Sequence, residues 1–197
     1  MKTTYLWLIT GVYLLVAAVM FAVLLPATTA ACGGPPLDGR FWWDAHTAAE
    51  LAVACGPDGL RTYSHLQTGD LVYPAVLATT LIAWTTWLAP RLGLHRRWTV
   101  TVVAAAATNA VFDYLENIAA WTLVRTGEAT SWVFTVGGGF SLVKNLTGAL
   151  AITSVVVLAV WYVATARTRR AAHQPSEEQE PGLKRLYVVG DFQKVDG

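Results

Sequence analysis

Four long runs of apolar residues, at residues 5–27, 71–92, 98–124 and 132–165, constrain this chain more than any other feature. The hydrocarbon core of a bilayer is about 30 Å thick, so a helix needs roughly 20 consecutive apolar residues to cross it. Each run reaches that length with few charges, and 54% of the 197 residues are hydrophobic while 14% are charged. We therefore expect an all-α membrane protein, built as a four-transmembrane-helix bundle.

The predicted transmembrane domain covers residues 1–167, and the polar tail at residues 168–197 has a Gln-, Glu- and Pro-rich composition typical of disorder. The one long connection, at residues 32–70, separates the first two runs. Within it, residues 44–54 predict a short helix that Gly56 and Pro57 end. This segment is too short and too charged to span, so we expect a helical cap on the outer face.

Basic residues are distributed asymmetrically along the chain. Three arginines lie at or just after the end of the second run and three follow the fourth, whereas the 32–70 connection holds five acidic residues and two arginines. The positive-inside rule then predicts a multi-pass protein of the cell membrane, such as the bacterial inner membrane, with both termini in the cytoplasm. A cleaved signal peptide is the alternative for the first run, although that run is longer than a signal core of about 7–15 residues.

Both cysteines, Cys32 and Cys55, lie in the 32–70 connection, and an oxidising outer compartment would let them form a disulfide. The alternative is a pair of buried free thiols. His46 and His65 have no accompanying ligand pattern, so we expect no metal and no cofactor. The net charge of +1 provides no basic field for nucleic acid.

Polar residues in the third run share one helical face. Asn109, Asp113, Glu116 and Asn117 follow the spacing i, i+4, i+7 and i+8. An ionisable group at the centre of a bilayer is costly unless it is paired, so such residues usually face the bundle interior and serve a function. We take Asp113 and Glu116 as candidate catalytic acids or bases, and Asn109 and Asn117 as candidate ligand-binding residues.

The fourth run carries a matching polar set at Ser141, Lys144 and Asn145. Asp113 and Lys144 each lie about 18 Å from the predicted outer ends of their helices, so they can face each other near the midplane. The same count predicts a second contact between Glu116 and Ser141. Lys144 is therefore a candidate catalytic partner of the two acids, with Ser141 and Asn145 as candidate ligand-binding residues.

Two further features allow two interpretations each. The glycines at 137–139 could unwind the fourth helix outside the polar cluster, or they could permit tight packing against the third helix. Asp70 and Tyr73 could face the mouth of the same cavity, where they are candidate ligand-binding residues. Alternatively, Asp70 is a solvated acid at the start of a helix.

The sequence FDYLEN at residues 112–117, with Lys144 in the middle of the fourth run, resembles a group of bacterial four-helix membrane proteins that share a D-x-x-E-N motif. This resemblance covers most of residues 5–165 and implies the fold but no activity. The architecture is also similar to that of the EXPERA proteins, which include sterol isomerases. That similarity implies a cavity for a hydrophobic amine or a sterol-like lipid, although the intramembrane Lys144 departs from the expectation.

Three functions are compatible with this pattern. The first is an intramembrane site that binds or transforms a small hydrophobic molecule or lipid. The second is a small transporter or proton pathway through the same residues, which would require a homo-oligomer because four helices make a narrow bundle. The third is a structural or assembly protein in which the polar cluster only holds two helices together. The expected partners are the lipid bilayer and a small hydrophobic ligand.

Overall fold

The computed structural model describes residues 2–130 and 132–172, and this part of the chain is all-helical. The helices are α1 (Thr3–Val19), α2 (Leu25–Ala31), α3 (Ala45–Asp70), α4 (Tyr73–Arg91), α5 (Arg96–Thr126) and α6 (Val133–Ala172). A π-helical turn, Met20–Leu24, joins α1 to α2, and a short 3-10 helix spans Leu37–Gly39. Most of the predicted tail, at residues 173–197, lies outside the described residues.

The chain divides into two compact units, residues 1–159 and residues 160–197. The candidate site and the grooves described below belong to the first unit. In the second unit, residues 160–172 are the last turns of α6. Residues 168–172, which belong to the predicted disordered tail, are therefore helical.

Within the described residues, three helical stretches are long and apolar enough to cross a membrane: Thr3–Ala31, Ala45–Arg91 and Val133–Thr168. They are compatible with membrane insertion; the first and third overlap the first and fourth predicted spans, and the second, of 47 residues, includes most of the predicted second span at residues 71–92. The predicted third span corresponds to α5, which has 31 residues but carries the polar residues of the candidate site.

Helix α3 is longer than the predicted cap helix. It begins where predicted, because the Asp44 carboxylate accepts a 2.8 Å hydrogen bond from the backbone N–H of Thr47. Gly56, with a φ of 57°, bends the helix before Pro57, but the chain resumes helical geometry and continues to Asp70. Residues 61–67, which lie between the predicted cap helix and the second span, are therefore helical.

Helix α4 packs against both α1 and α5, and α3 packs against α5. One buried apolar cluster fills the α4, α5 and α6 interface with Leu77, Leu81, Ala105, Ala106 and Ala151. A second cluster surrounds Cys32 and Cys55, whose sulfur atoms are 2.05 Å apart, the distance of a disulfide bond. The predicted pairing of the two cysteines is therefore present.

Candidate functional site

Lys144 of α6 is the centre of a buried charge cluster. Its ammonium group contacts a carboxylate oxygen of Glu116 directly and lies 3.3 Å from Oδ1 of Asp113, both on α5. It also donates a 3.4 Å hydrogen bond to the backbone carbonyl of Asp38. The Glu116 side chain is fully buried, and those of Asp113 and Lys144 are 6% and 10% exposed. The predicted contact between Asp113 and Lys144 is therefore confirmed.

The predicted second contact, between Glu116 and Ser141, is absent. Glu116 instead shares Lys144 with Asp113, and the Ser141 hydroxyl donates a 2.9 Å hydrogen bond to the carbonyl of Arg40. The amide of Asn145 donates to the same carbonyl at 3.4 Å. The Ser141 and Asn145 side chains of α6 therefore bind the inserted connection, residues 32–44 between α2 and α3, rather than α5.

The connection before α3 enters the bundle and completes the site. Trp43 is 1% exposed, and its indole N–H donates a 2.8 Å hydrogen bond to Oε1 of Glu116. Trp43 is therefore buried inside the bundle, whereas its neighbour Trp42 is 55% exposed. A Cβ at Gly137 would lie 1.9 Å from the Trp43 ring, and one at Gly138 would lie 2.0 Å from its carbonyl oxygen.

Gly137 and Gly138 therefore make room for Trp43. Neither of the two interpretations of residues 137–139 holds as stated. Helix α6 continues through them without unwinding, and the close neighbour is the inserted connection, not the third span. Small residues here permit a close approach between backbone and indole.

Asp38, on the inserted 3-10 helix, is held by two side chains of α3. Its Oδ2 accepts a 3.0 Å hydrogen bond from the Tyr63 hydroxyl and a 2.6 Å hydrogen bond from the amide of Gln67. Burial, together with the nearby charge of Glu116, raises the pKa of the Asp38 carboxyl to about 7, and the charge of Lys144 opposes this shift.

The asparagines of α5 bind backbone carbonyls. Asn109 donates a 2.9 Å hydrogen bond to the carbonyl of Lys144, and Asn117 donates a 3.3 Å hydrogen bond to the carbonyl of Asp70. Each therefore ties α5 to a neighbouring charged residue. Their amide oxygens, both buried, have no hydrogen-bond partner among the described residues.

A cavity of about 80 Å³ adjoins the charge cluster. Its charged wall consists of Asp38, Asp70, Asp113 and Lys144, and Tyr73 also lines it. Asp70 is 5% exposed, so the interpretation of it as a solvated acid was wrong, and it faces the cavity together with Tyr73. The apolar wall is formed mainly by Met20, Phe21, Leu25 and Leu66.

Acceptors exceed donors around this cavity. Three carboxyl groups, those of Asp38, Asp70 and Asp113, line the cavity together with the single ammonium group of Lys144, which also contacts the carboxylate of Glu116. Within the described residues, Oδ1 of Asp38 and Oδ2 of Asp70 are buried without a hydrogen-bond partner. No group of three or more His, Cys, Asp or Glu side chains in this part of the chain has a geometry that could hold a metal ion.

Sequence reasoning missed Asp38, Trp43, Tyr63 and Gln67. A signal for two of them exists, because Tyr63, Gln67 and Asp70 follow the i, i+4 and i+7 spacing of one helical face. This is the same pattern that identified the polar face of α5. The sequence predicts that the cap helix ends at Gly56 and Pro57, so these three residues were not placed on one helical face.

No protein family matches this chain, and no curated protein or solved structure is significantly similar to it. The chemistry of the site therefore carries the functional argument.

Proposed function

We propose that this chain is an integral membrane protein in which α5 also spans the membrane, as the third of four spanning helices, and that its buried acidic site binds a small hydrophobic molecule or lipid. The observation that carries the proposal is the cavity of about 80 Å³, which has charged groups on one wall and apolar side chains on the other. Ligand sites in proteins commonly combine an apolar lining with a few convergent polar groups.

The carboxyl oxygens that have no hydrogen-bond partner restrict the kind of polar group that the ligand can carry. Above the pKa of Asp38, Oδ1 of that residue accepts hydrogen bonds, as does Oδ2 of Asp70 when it is ionised, so the ionised site favours a ligand group that donates hydrogen bonds, such as a hydroxyl or an ammonium group. A buried acceptor without a partner costs about 1–3 kcal/mol, which a bound donor would recover. The cavity is smaller than the roughly 300–1,000 Å³ of a drug-sized site, so it suits a head group with the remainder of the ligand outside.

Lys144 contacts two of the four acids, Asp113 and Glu116. Its contacts with Glu116 and Asp113 hold these carboxylates beside the cavity, where they could act as acid and base if the ligand is transformed. Asp38 and Asp70 remain for the ligand. The proposed role in ligand binding needs no further step. A catalytic role would require a proton transfer by Asp113 or Glu116.

A transporter or proton pathway is the second candidate, and it has less support. A path through the bundle needs polar groups on both sides of the site. The cluster of Leu77, Leu81, Ala105, Ala106 and Ala151 instead fills the neighbouring interface with apolar side chains. The third candidate, a purely structural role for the cluster, does not account for the cavity or for the unpartnered oxygens of Asp38 and Asp70.

Photolabelling in lipid nanodiscs tests the proposal. Long-chain probes carrying a diazirine near a hydroxyl, an ammonium or a carboxylate head group would be crosslinked, and the labelled residues would be mapped by mass spectrometry. We expect the hydroxyl or ammonium probe to label Met20, Phe21 or Leu66 in a saturable way. The carboxylate probe should not do so, because the cavity wall is acidic.

A cavity-blocking variant and a matched control sharpen this test. Gly39 lines the cavity, and a Cβ there would lie 3.7 Å from Leu25, another residue of the wall. Gly39→Leu should therefore abolish the saturable labelling. Gly34→Leu, in the same connection but with open space around its Cβ, should leave it unchanged. Labelling by no probe, or equal labelling in the Gly39→Leu variant, would refute a ligand site here.

A further inference from the structure

A second feature lies away from the central cavity, along the seam between α3 and α5. Two grooves adjoin there and share Arg125. One has a volume of about 560 Å³ and is lined by residues that include Arg61, Ser64, Arg125 and Thr126. The other has a volume of about 550 Å³ and is lined by residues that include Leu71, Tyr114, Ile118, Trp121 and Arg125.

The first groove is positively charged. Arg61 and Arg125 are its only charged lining residues among those that the structure describes, and both are exposed. Neither arginine forms an ion pair with a carboxylate of the described residues. The Arg125 guanidinium lies 5.3 Å from the centre of the Trp121 ring, a cation–π contact that leaves its N–H groups available. Two arginines on one groove are a typical binding arrangement for a phosphate group.

The second groove is apolar and exposed. The exposed fractions of Leu71, Ile118 and Tyr114 are 51%, 53% and 36%. The groove follows α5 from Arg125 to Tyr114, which is about 16 Å at the rise of an α-helix. Trp121 lies between the charged end and the apolar part, as tryptophans do at the membrane interface.

We propose that the seam binds one anionic phospholipid, with the phosphate between Arg61 and Arg125 and an acyl chain along Trp121, Ile118 and Leu71. The charged groove alone would accept any phosphate, and the apolar groove alone would accept any lipid chain. Because Arg125 lines both grooves, a single molecule that carries both a phosphate group and an acyl chain can fill the two grooves together. This site is separate from the central cavity and does not depend on the function proposed for that cavity.

Native mass spectrometry of the full chain, released from nanodiscs of phosphatidylcholine with a minor fraction of phosphatidylglycerol of the same acyl chains, tests the proposal. We expect one retained phosphatidylglycerol per chain. An arginine near an anionic lipid surface contributes about fivefold to affinity, so the variant carrying both Arg61→Gln and Arg125→Gln should lose roughly 30-fold of the preference. Ile118→Gln should weaken retention while the preference for phosphatidylglycerol remains.

Arg91→Gln is the matched control. Arg91 also stacks on a tryptophan, with its guanidinium 3.9 Å from the centre of the Trp87 ring, but it lines neither groove. Its loss should not change the retained lipid. An equal effect of Arg91→Gln would assign the preference to general surface charge and overturn the proposal. Displacement of the lipid by millimolar inorganic phosphate would also overturn it, since the seam would then be a phosphate site that does not need the acyl chain.

Discussion

The indole N–H of Trp43 donates a 2.8 Å hydrogen bond to the buried carboxylate of Glu116, although the two residues lie 73 positions apart in the chain. This bond satisfies one oxygen of Glu116, and Lys144 contacts the other. A buried carboxylate needs both kinds of partner, because its desolvation is costly and one ion pair leaves lone pairs unsatisfied. The connection before α3 is therefore part of the site rather than a cover over it.

Replacing Trp43 by Phe should destabilise the protein by roughly 1.5–3 kcal/mol. The ring remains in place, but Glu116 loses a hydrogen bond to a charged acceptor. Trp42→Phe is the control, because Trp42 is adjacent and exposed. Chemical unfolding in detergent, followed by circular dichroism, would compare the two variants. Equal stability losses would show that the Glu116 hydrogen bond contributes nothing specific.

Lys144→Met should be the most damaging change in the charge cluster, with a loss of about 3–5 kcal/mol, because it leaves buried carboxylates without their cation. Adding Glu116→Gln to that variant should restore more stability than adding Asp113→Asn. The reason is that Glu116 is fully buried and makes the closer contact with Lys144. A double-mutant cycle of unfolding free energies gives both coupling energies. Purely additive losses would contradict direct pairing.

Asp38 should make stability depend on pH. Its pKa in the folded protein is raised from 3.8 to about 7, so the folded state binds a proton that the unfolded state has already released between these values. The stabilisation is complete below about pH 4 and is lost as the pH rises to about 7. Asp38→Asn should flatten this part of the melting-temperature profile. Asp58→Asn, at an exposed carboxyl group, should leave the profile unchanged.

Reduction of the Cys32–Cys55 disulfide should lower stability by about 3 kcal/mol, because the bond closes a loop between residues 23 positions apart. The loop contains Asp38 and Trp43, so reduction should also weaken saturable ligand labelling. The variant with both cysteines changed to serine should show neither response to reductant. Free reaction of the wild-type protein with a thiol reagent before reduction would rule the bond out.

The proposed orientation places the α5–α6 connection outside and the end of α6 in the cytoplasm. Glu128→Cys should therefore react with a membrane-impermeant maleimide added to intact cells, and the disulfide keeps the native cysteines silent. A reporter that is active only in the cytoplasm should give a signal when it is fused after Arg170. The reverse pattern would mean that the orientation is inverted.

The sequence predicted the long apolar helices and the matched positions of Asp113 and Lys144 along two of them. Apolar runs of about 20 residues are long enough to span a bilayer. The fixed rise of an α-helix then gives each residue a distance from the end of its helix, so Asp113 and Lys144 could be matched before any tertiary contact was known. The polar face of α5 followed from helical periodicity in the same way.

Only the tertiary structure decided what fills the space beside that ion pair. The path of residues 36–43 has no periodicity, and it depends on the room left by Gly137 and Gly138 and on the disulfide that closes its loop. Glu116 accepts a hydrogen bond from Trp43 rather than from Ser141 because the inserted indole reaches its carboxylate, while the Ser141 hydroxyl donates its hydrogen bond to the carbonyl of Arg40. Local sequence encodes helix faces and positions along a helix, but the partner of a buried charge depends on which distant segment can approach it.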